Sequence, residues 1–214
     1  IAKKRNLKLI NLNEEFKKIK SQNKFEFNNG FKIKNLAMAV KAAKLCGLKE
    51  NSIYRVLKKI KDVNGRLELI REYKNKIRVY IDYAHTPDAL RKILTTEKSK
   101  NKKPIVLFGC GGNRDILKRK LMGKIAFKLA SKVYITDDNP RNENPNKIRK
   151  QILKYCPGAI EVANRKKAIT KAINSLNNSE TLIIAGKGHE KTQIIKNKIL
   201  NFDDYKIVNK IISK

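Results

Sequence analysis

From residue 77 onward, short runs of apolar residues alternate with longer segments in which apolar residues recur every three or four positions. The short runs have the length of buried strands, and the longer segments have the spacing of amphipathic helices. Elements that alternate in this order form an α/β fold, in which helices cover both faces of a parallel sheet. The predicted strands are residues 77–84, 104–110, 132–136, 159–163 and 181–186, and the predicted helices are residues 87–94, 118–130, 145–155 and 165–176.

Capping and turn residues support these boundaries. Thr86 directly precedes Pro87, a pair typical of the cap and the first position of a helix. After the last strand, residues 192–200 are predicted to form a short hairpin, and a terminal helix is predicted to begin near Asp203.

The pattern is less regular near the N-terminus. Residues 7–12 and 24–27 are predicted strands, with a turn at residues 28–30. Apolar residues at helical intervals then predict a helix over residues 33–45, and Gly47 lies where its C-terminal cap is expected.

A domain boundary is predicted near residue 62. A second short helix is expected over residues 51–60, capped by Asn51 or Ser52, and an Asn-Gly turn follows it. Residues 1–62 and 63–214 are therefore predicted to belong to two domains.

Composition and charge limit the classes of function. Lys and Arg number 51 against 19 Asp and Glu, a formal net charge of +32, which is compatible with binding to nucleic acid. The charge is mostly Lys, it is spread along the whole chain, and the chain has 7% aromatic residues and no Trp, so no stacking platform is evident. Nucleic-acid binding is kept only as an alternative.

Targeting signals and disulfides are not predicted. The chain has no apolar run of about 18 residues and no signal-peptide pattern, so we expect no membrane span. Cys46, Cys110 and Cys156 are far apart, which is typical of reduced thiols in a cytoplasmic protein. The first residue is not Met and the pattern starts mid-element, so we expect a fragment of a longer protein.

Polar clusters follow four of the predicted strands, namely "DYAHTPD", "GCGGNRD", "TDDNPR" and "AGKGHE". In an open parallel sheet, ligands bind outside the carboxyl ends of the strands. Taken alone, each glycine-rich cluster is also compatible with a tight turn, and no Walker A or GxGxxG pattern is present. Four clusters at the same edge nevertheless predict one shared site.

The residue types in these clusters predict a ligand of mixed charge. Arg114 and Arg141 can bind carboxylates through paired N–H groups, while Asp138 and Glu190 offer charge to an ammonium group. A site with both signs suits an amino acid, and the second arginine favours one with an additional carboxylate.

The remaining polar residues have two readings each. Asp82 is placed to accept hydrogen bonds from a ribose or to cap the following helix, a role that Thr86 and Asp88 already supply. His85 is equally compatible with adenine packing and with a structural role, and His189 with a general base or, more often, a structural histidine. The two histidines and three scattered cysteines form no predicted metal site.

Taken together, the stretches "NGRLE", "YIDYAHTPDAL", "FGCGGNRD", "KRKLMG", "TDDNPR" and "AGKGHE" resemble the C-terminal part of a Mur ligase. Among these ligases they resemble the members that add meso-diaminopimelate to UDP-N-acetylmuramoyl-L-alanyl-D-glutamate. Within the family, "DNPR" is typical of the diaminopimelate-adding members, and the lysine-adding members lack its Arg. A ligase that adds lysine or another amino acid is the alternative within the family.

The resemblance implies a fold and a set of site residues. The fold is a Rossmann-like parallel-sheet C-terminal Mur ligase domain (63–214), preceded by the end of the central ATP-binding domain (1–62). The implied diaminopimelate-binding residues are Arg114, Asp138, Asn139, Pro140, Arg141, Gly186 and Glu190. The implied nucleotide-side residues are Asn35, Arg66 and Asp82, with His85 beside them.

The resemblance also implies a reaction in peptidoglycan precursor synthesis. The complete enzyme would be a cytoplasmic ATP-dependent amide ligase that uses Mg²⁺ and forms an acyl phosphate, which the diaminopimelate amine attacks. The P-loop and the UDP-sugar domain lie upstream in the family and are missing here, so this chain alone is expected to be inactive. A monomer is expected.

Overall fold

The computed structural model describes residues 9–21, 30–57, 59–73, 75–97 and 102–212. The chain divides into two compact units, Ile1–Asp62 and Val63–Lys214. The division follows the second short helix and directly precedes the Asn-Gly turn at residues 64 and 65.

The first unit contains three helices, α1 (Asn13–Ser21), α2 (Gly30–Leu45) and α3 (Glu50–Leu57). Their apolar faces form a small core in which Ile19, Ala37, Val40 and Ile53 are buried. The end of α2 is a Schellman motif: Gly47 has φ +84°, its N–H donates to Lys44, and the N–H of Leu48 donates to Ala43. The predicted helix over residues 33–45 is therefore confirmed.

The predicted strands near the N-terminus are not found among the described residues. Residues 9–12 are not in a strand, and the side chain of Asn11 accepts a hydrogen bond from Asn13 at the start of α1. The predicted strand 24–27 lies outside the described residues, and Gly30 opens α2 instead of closing a turn. Helix α1 was missed because its apolar residues are few, although Glu14 and Glu15 in its first turn suit a helix N-terminus.

The second unit is built on a six-stranded sheet. Its strands are β1 (Glu68–Glu72), β2 (Arg78–Asp82), β3 (Ile105–Phe108), β4 (Lys132–Ile135), β5 (Ile160–Glu161) and β6 (Thr181–Ala185). They lie in the order β1-β2-β6-β3-β4-β5, and every neighbouring pair is parallel except the antiparallel β1–β2 edge. The predicted parallel sheet is confirmed, whereas the edge strand β1, with its exposed and charged sequence, was not predicted.

Helices cover both faces of this sheet. They are α4 (Pro87–Thr96), α5 (Leu117–Leu129), α6 (Pro145–Leu153), α7 (Arg165–Asn174) and α8 (Asp204–Ile212), and β7 (Thr192–Ile195) pairs with β8 (Lys198–Asn201) in the predicted hairpin. Alternate residues of the central strands pack with Ala168, Ile169 and Val208 of α7 and α8. Right-handed crossovers place α4, α5 and α6 on the other face. Thr86 caps α4 as predicted.

The strand ends that carry the polar clusters are aligned. Asp82, the last residue of β2, is paired with Ala185, the last residue of β6. Phe108 and Ile135 are likewise paired at the ends of β3 and β4. The sheet therefore delivers all four clusters to one edge. No helix in the described part of the chain is long and apolar enough to span a membrane.

The three thiols should differ strongly in reactivity. Burial raises the pKa of Cys110 to about 12 and that of Cys156 to about 11, whereas Cys46 is exposed. In the native chain at pH 8, iodoacetamide should modify Cys46 at least roughly 100-fold faster than Cys110, because the thiolate is the nucleophile. Peptide mass spectrometry over time checks this. Equal rates at Cys46 and Cys110 would contradict the packing of the loop that contains Cys110.

Candidate functional site

The four strand-end clusters pack against one another through glycines. A Cβ at Gly188 would lie 2.7 Å from the Cβ of Tyr83, and one at Gly109 would lie 2.3 Å from the carbonyl oxygen of Thr136. A Cβ at Gly112 would lie 1.9 Å from the carbonyl oxygen of Pro140. These close approaches have no room for a side chain, so the glycines are what allow the clusters to meet.

The "DNPR" loop is fixed through its backbone. Arg141 has φ +51°, its N–H donates to Ile194 at 3.0 Å, and its carbonyl accepts from the N–H of Lys196 at 2.7 Å. On its other side, the N–H of Gly112 donates to the carbonyl of Asn139 at 2.9 Å. The loop is therefore held between the glycine-rich loop and the β7–β8 hairpin.

A side chain at Gly112 should push these two loops apart. Replacing Gly112 by Ala should lower the free energy of unfolding by about 1–3 kcal/mol, since the new methyl group overlaps the backbone of Pro140. Urea denaturation measures the change. The matched control is Gly30→Ala, where nothing lies within 4 Å of the added Cβ. A Gly112 variant as stable as the control would show that the loops are not in close contact.

The two arginines predicted to bind carboxylates both lie at this edge. Arg114 is exposed, and its side chain makes no hydrogen bond to the described residues. The Nη1 of Arg141 donates to the carbonyl of Gly112 at 3.0 Å and to that of Asn139 at 3.4 Å. Its Nε and Nη2 make no hydrogen bond to the described part of the chain. Both side chains can therefore offer N–H groups to an anion.

The acidic side of the site is an ordered network around Asn139. Its Oδ1 accepts hydrogen bonds from Lys187 Nζ at 2.9 Å and from the N–H of Ile194 at 3.0 Å. Its Nδ2 donates to Glu190 Oε2 at 3.1 Å. Asn139 is buried, and its side-chain oxygen and nitrogen are both hydrogen-bonded within the protein. Its predicted contact with the ligand stays a prediction.

Asp138 and Gly186 lie side by side in this network. A Cβ at Gly186, which has φ +114°, would come within 2.9 Å of Asp138 Oδ2. The Oδ1 of Asp138 accepts from the N–H of Asn139, and its carbonyl accepts from Gln193 Nε2 at 2.6 Å. Pro140 is buried within the same loop. The carboxylate of Asp138 is half-buried, and its Oδ2 faces Gly186.

A buried ion pair that sequence reasoning missed joins the two arginine-bearing loops. Arg119 of α5 is 1% exposed and donates to both carboxylate oxygens of Glu143, each at 2.9 Å, and to the carbonyl of Gly111. Glu143 also accepts from the N–H of Asn113, and the nearby Arg119 lowers the pKa of the Glu143 carboxyl. The motif "KRKLMG" carries Arg119, but its partner is 24 residues away, beyond any local pattern.

A second group of residues lies at the end of β2. The Arg66 guanidinium lies 4.2 Å from the centroid of the Tyr83 ring, and the His85 and His189 rings lie 4.6 and 5.1 Å from it. Burial, and then the charge of Glu190, raises the pKa of Tyr83. Tyr83 was missed by sequence reasoning, although it sits in the quoted "DYAHTPD". The His85 and His189 rings are inclined to the Tyr83 ring by 66° and 38°, so these side chains form a cationic and aromatic cluster and not a flat stack.

Asp82 supports this cluster from below. Its two carboxylate oxygens accept hydrogen bonds from the N–H groups of Leu67 and Ala84, both at 2.6 Å, and it is 6% exposed. These bonds of Asp82 go to the backbone of two neighbouring turns and not to that of α4, and the contact of Asp82 with a ribose stays a prediction. The resemblance also implies Asn35 on the nucleotide side. Asn35 is exposed on α2 of the first unit, and its contact with a nucleotide stays a prediction.

The described residues contain no cluster of three or more His, Cys, Asp or Glu side chains that could hold a metal ion.

A groove of about 1080 Å³ lies elsewhere, between α7 and α8, and is lined by Lys166, Thr170, Asn174, Lys191, Asn201, Phe202, Asp203, Lys206, Ile207, Lys210 and Ile211. It contains none of the predicted site residues. The candidate site is the region enclosed by the four strand-end clusters, called the strand-end cleft, and not this groove.

Comparison with known proteins gives one family. A model described as Mur ligase, glutamate ligase domain, matches residues 65–188. One relative is the UDP-N-acetylmuramoyl-L-alanyl-D-glutamate--2,6-diaminopimelate ligase of Rickettsia felis. It is 42% identical over an alignment of 230 residues, which covers 100% of this chain and 42% of that protein. The ligase of the same name from Buchnera aphidicola is 44% identical over 188 residues, which cover 86% of this chain and 38% of that protein.

A solved structure supports the same relationship. A structure of UDP-N-acetylmuramoyl-L-alanyl-D-glutamate--2,6-diaminopimelate ligase superposes with a TM-score of 0.64 at 34% identity, covering 86% of this chain and 39% of that one. The chain thus spans about two fifths of the length of the relatives it matches. The matched residues include the glycine-rich loop, the "DNPR" loop and most of "AGKGHE", which form the cleft. The chain therefore belongs to the Mur ligase family, and the match covers the glutamate ligase domain.

Proposed function

We propose that the strand-end cleft binds meso-diaminopimelate, and that the chain is the amino-acid-binding part of a ligase that joins it to UDP-N-acetylmuramoyl-L-alanyl-D-glutamate. The observation that supports the proposal is that Arg141 and Asp138 of the "DNPR" loop and Glu190 of the "AGKGHE" loop all hydrogen-bond to Asn139. Relatives at 42–44% identity carry the name of the diaminopimelate-adding ligase.

The charges suit this ligand over lysine. Diaminopimelate is lysine with a second carboxylate, so each of its ends carries both an ammonium and a carboxylate group. Arg141 and Arg114 would receive carboxylate oxygens through paired N–H groups, and Asp138 and Glu190 would receive an ammonium group. The carboxylates sit on the "DNPR" and "AGKGHE" loops that Asn139 ties together, so the ligand would be oriented as it binds.

A nucleotide would meet the other part of the cleft. Arg66 offers a positive charge to phosphate, and the Tyr83 and His85 rings offer aromatic contacts to a purine base, so these residues fit ATP. When bound, ATP supplies the phosphoryl group that activates the acceptor carboxylate. Asp82 would order the turn that carries Arg66. The described residues do not by themselves fit a Mg²⁺ site, since they contain no group of three His, Cys, Asp or Glu side chains that could hold the ion.

Calorimetric titration tests the proposal. The chain is titrated with meso-diaminopimelate and with L-lysine at moderate salt, where binding of polyanions to the many lysines is weakened. We expect saturable binding of meso-diaminopimelate and at least about tenfold weaker binding of L-lysine, equivalent to roughly 1.4 kcal/mol. Equal affinities would support the lysine-adding alternative, and binding of neither would exclude a preformed pocket.

A further inference from the structure

Lys187 is a buried cation that the proposed binding scheme does not use. It lies between Gly186 and Gly188, both with positive φ, and its side chain is 0% exposed. Its Nζ donates to Asn139 Oδ1 at 2.9 Å and to the carbonyl of Thr192 at 2.6 Å, and lies 3.5 Å from Glu190 Oε2. The ammonium group thus makes two hydrogen bonds, and Glu190 lies within ion-pair distance of it.

This geometry excludes a role as general base. Burial lowers the pKa of Lys187, against the attraction of Asp138, which is a property shared with many catalytic lysines. A base must, however, reach the proton that it removes. The Lys187 Nζ is enclosed and directed at three protein oxygens, so it acts on the site through those groups.

The contacts of Lys187 fix the orientation of the Asn139 amide. Lys187 and the N–H of Ile194 both donate to Asn139 Oδ1, which forces Nδ2 to face Glu190. Glu190 is thereby held by Asn139 and by Lys187 together. An amide that lost the Lys187 contact could rotate and would release the Glu190 carboxylate.

We infer that Lys187 is a positioning and specificity-determining residue, which holds Asn139 and Glu190 in place and balances the charge of the acidic side of the pocket. The inference rests on the proposed function, because the ligand is proposed there. Asp138 and Glu190 carry two negative charges, and Lys187 offsets one of them. L-lysine carries one more net positive charge than meso-diaminopimelate, so the uncompensated carboxylates would favour L-lysine, and Lys187 reduces that preference.

The variant Lys187→Met tests the inference in two independent ways. Amide hydrogen exchange of the ligand-free chain should become about tenfold faster at Ile194, whose N–H donates to Asn139, and remain unchanged at Ile183 in the buried strand β6. The ratio of affinities for meso-diaminopimelate and L-lysine, measured by calorimetry, should fall about tenfold because one positive charge is removed. Exposed Lys191→Met, a few residues along the chain, is the matched control and should change neither quantity.

Asn139→Asp provides a second test if Lys187→Met does not fold. It keeps an oxygen that accepts from Lys187 and Ile194, but it replaces the donor that faces Glu190 by a second acceptor. We expect normal exchange at Ile194 and a reduced ratio of affinities. A wild-type ratio in this variant would overturn the claim that Lys187 positions Glu190 through the Asn139 amide.

The outcomes separate this inference from the proposed function. Wild-type exchange at Ile194 and a wild-type affinity ratio in a folded Lys187→Met chain would overturn the inference and leave the proposed function intact. If the unmodified chain binds neither amino acid, the proposed pocket fails, and the exchange at Ile194 alone decides whether Lys187 positions Asn139.

Discussion

Replacing Arg165 by Met should lower the free energy of unfolding of the second unit by about 3–5 kcal/mol, because it leaves Asp204 buried without its partner. Arg165 and Asp204 are both 0% exposed and share two hydrogen bonds, of 2.9 and 2.7 Å. Burial disfavours the charged guanidinium, but Asp204 outweighs it, and the net effect raises the pKa of Arg165. Arg165 also donates to the carbonyl of Ala185, directly below the cleft.

Urea denaturation followed by tyrosine fluorescence measures this loss. The exposed Arg71→Met on β1 is the matched control and should change stability by less than about 0.5 kcal/mol. The double variant Arg165→Met with Asp204→Leu should recover most of the loss, since it removes both buried charges. A single Arg165 variant as stable as the Arg71 control would contradict the role of this pair in joining α7, α8 and the end of β6.

Replacing Arg141 by Gln should weaken binding of meso-diaminopimelate by about 1.5–3 kcal/mol, a factor of roughly 10 to 150, through loss of charged hydrogen bonds to its second carboxylate. L-lysine lacks that carboxylate, so its affinity should not change. The backbone bonds of residue 141 to Ile194 and Lys196 do not involve the side chain, so the loop should keep its conformation.

Calorimetry with both ligands gives the two affinities. Arg91→Gln is the control, because Arg91 is an exposed arginine of α4. Selectivity for meso-diaminopimelate that survives the change at Arg141 would mean that the "DNPR" loop does not carry the discrimination. In that case Arg114, on the glycine-rich loop, would be the next residue to replace.

The sheet could be predicted because its strands are buried on both faces. Ile105–Phe108 and Thr181–Ala185 are fully buried, so they read as continuous apolar runs between amphipathic helices. Edge elements lack this signal. Strand β1 (Glu68–Glu72) is charged and largely exposed, and α1 is short, so neither had a periodic pattern strong enough to predict it.

The meeting of the strand-end loops could be predicted from sequence, but the hydrogen-bond partners of each side chain could not. Strand ends and residue types predicted which loops would meet, since the carboxyl ends of parallel strands share one edge. They did not predict which polar groups are hydrogen-bonded within the protein. Asp82 and Asn139 form hydrogen bonds with the backbone and with neighbouring side chains. The Arg119–Glu143 pair joins residues that are far apart in sequence. Such partners are fixed only when the loops pack.

The most direct test of the central claim is a ¹⁵N NMR titration of the chain with meso-diaminopimelate and with L-lysine, at the same moderate salt. If the four strand-end clusters form one diaminopimelate pocket, amide shifts will concentrate at Arg114, Arg141 and Glu190 with meso-diaminopimelate and be much smaller with L-lysine. Shifts spread over the exposed lysines, or confined to one cluster, would contradict a single pocket at this edge of the sheet.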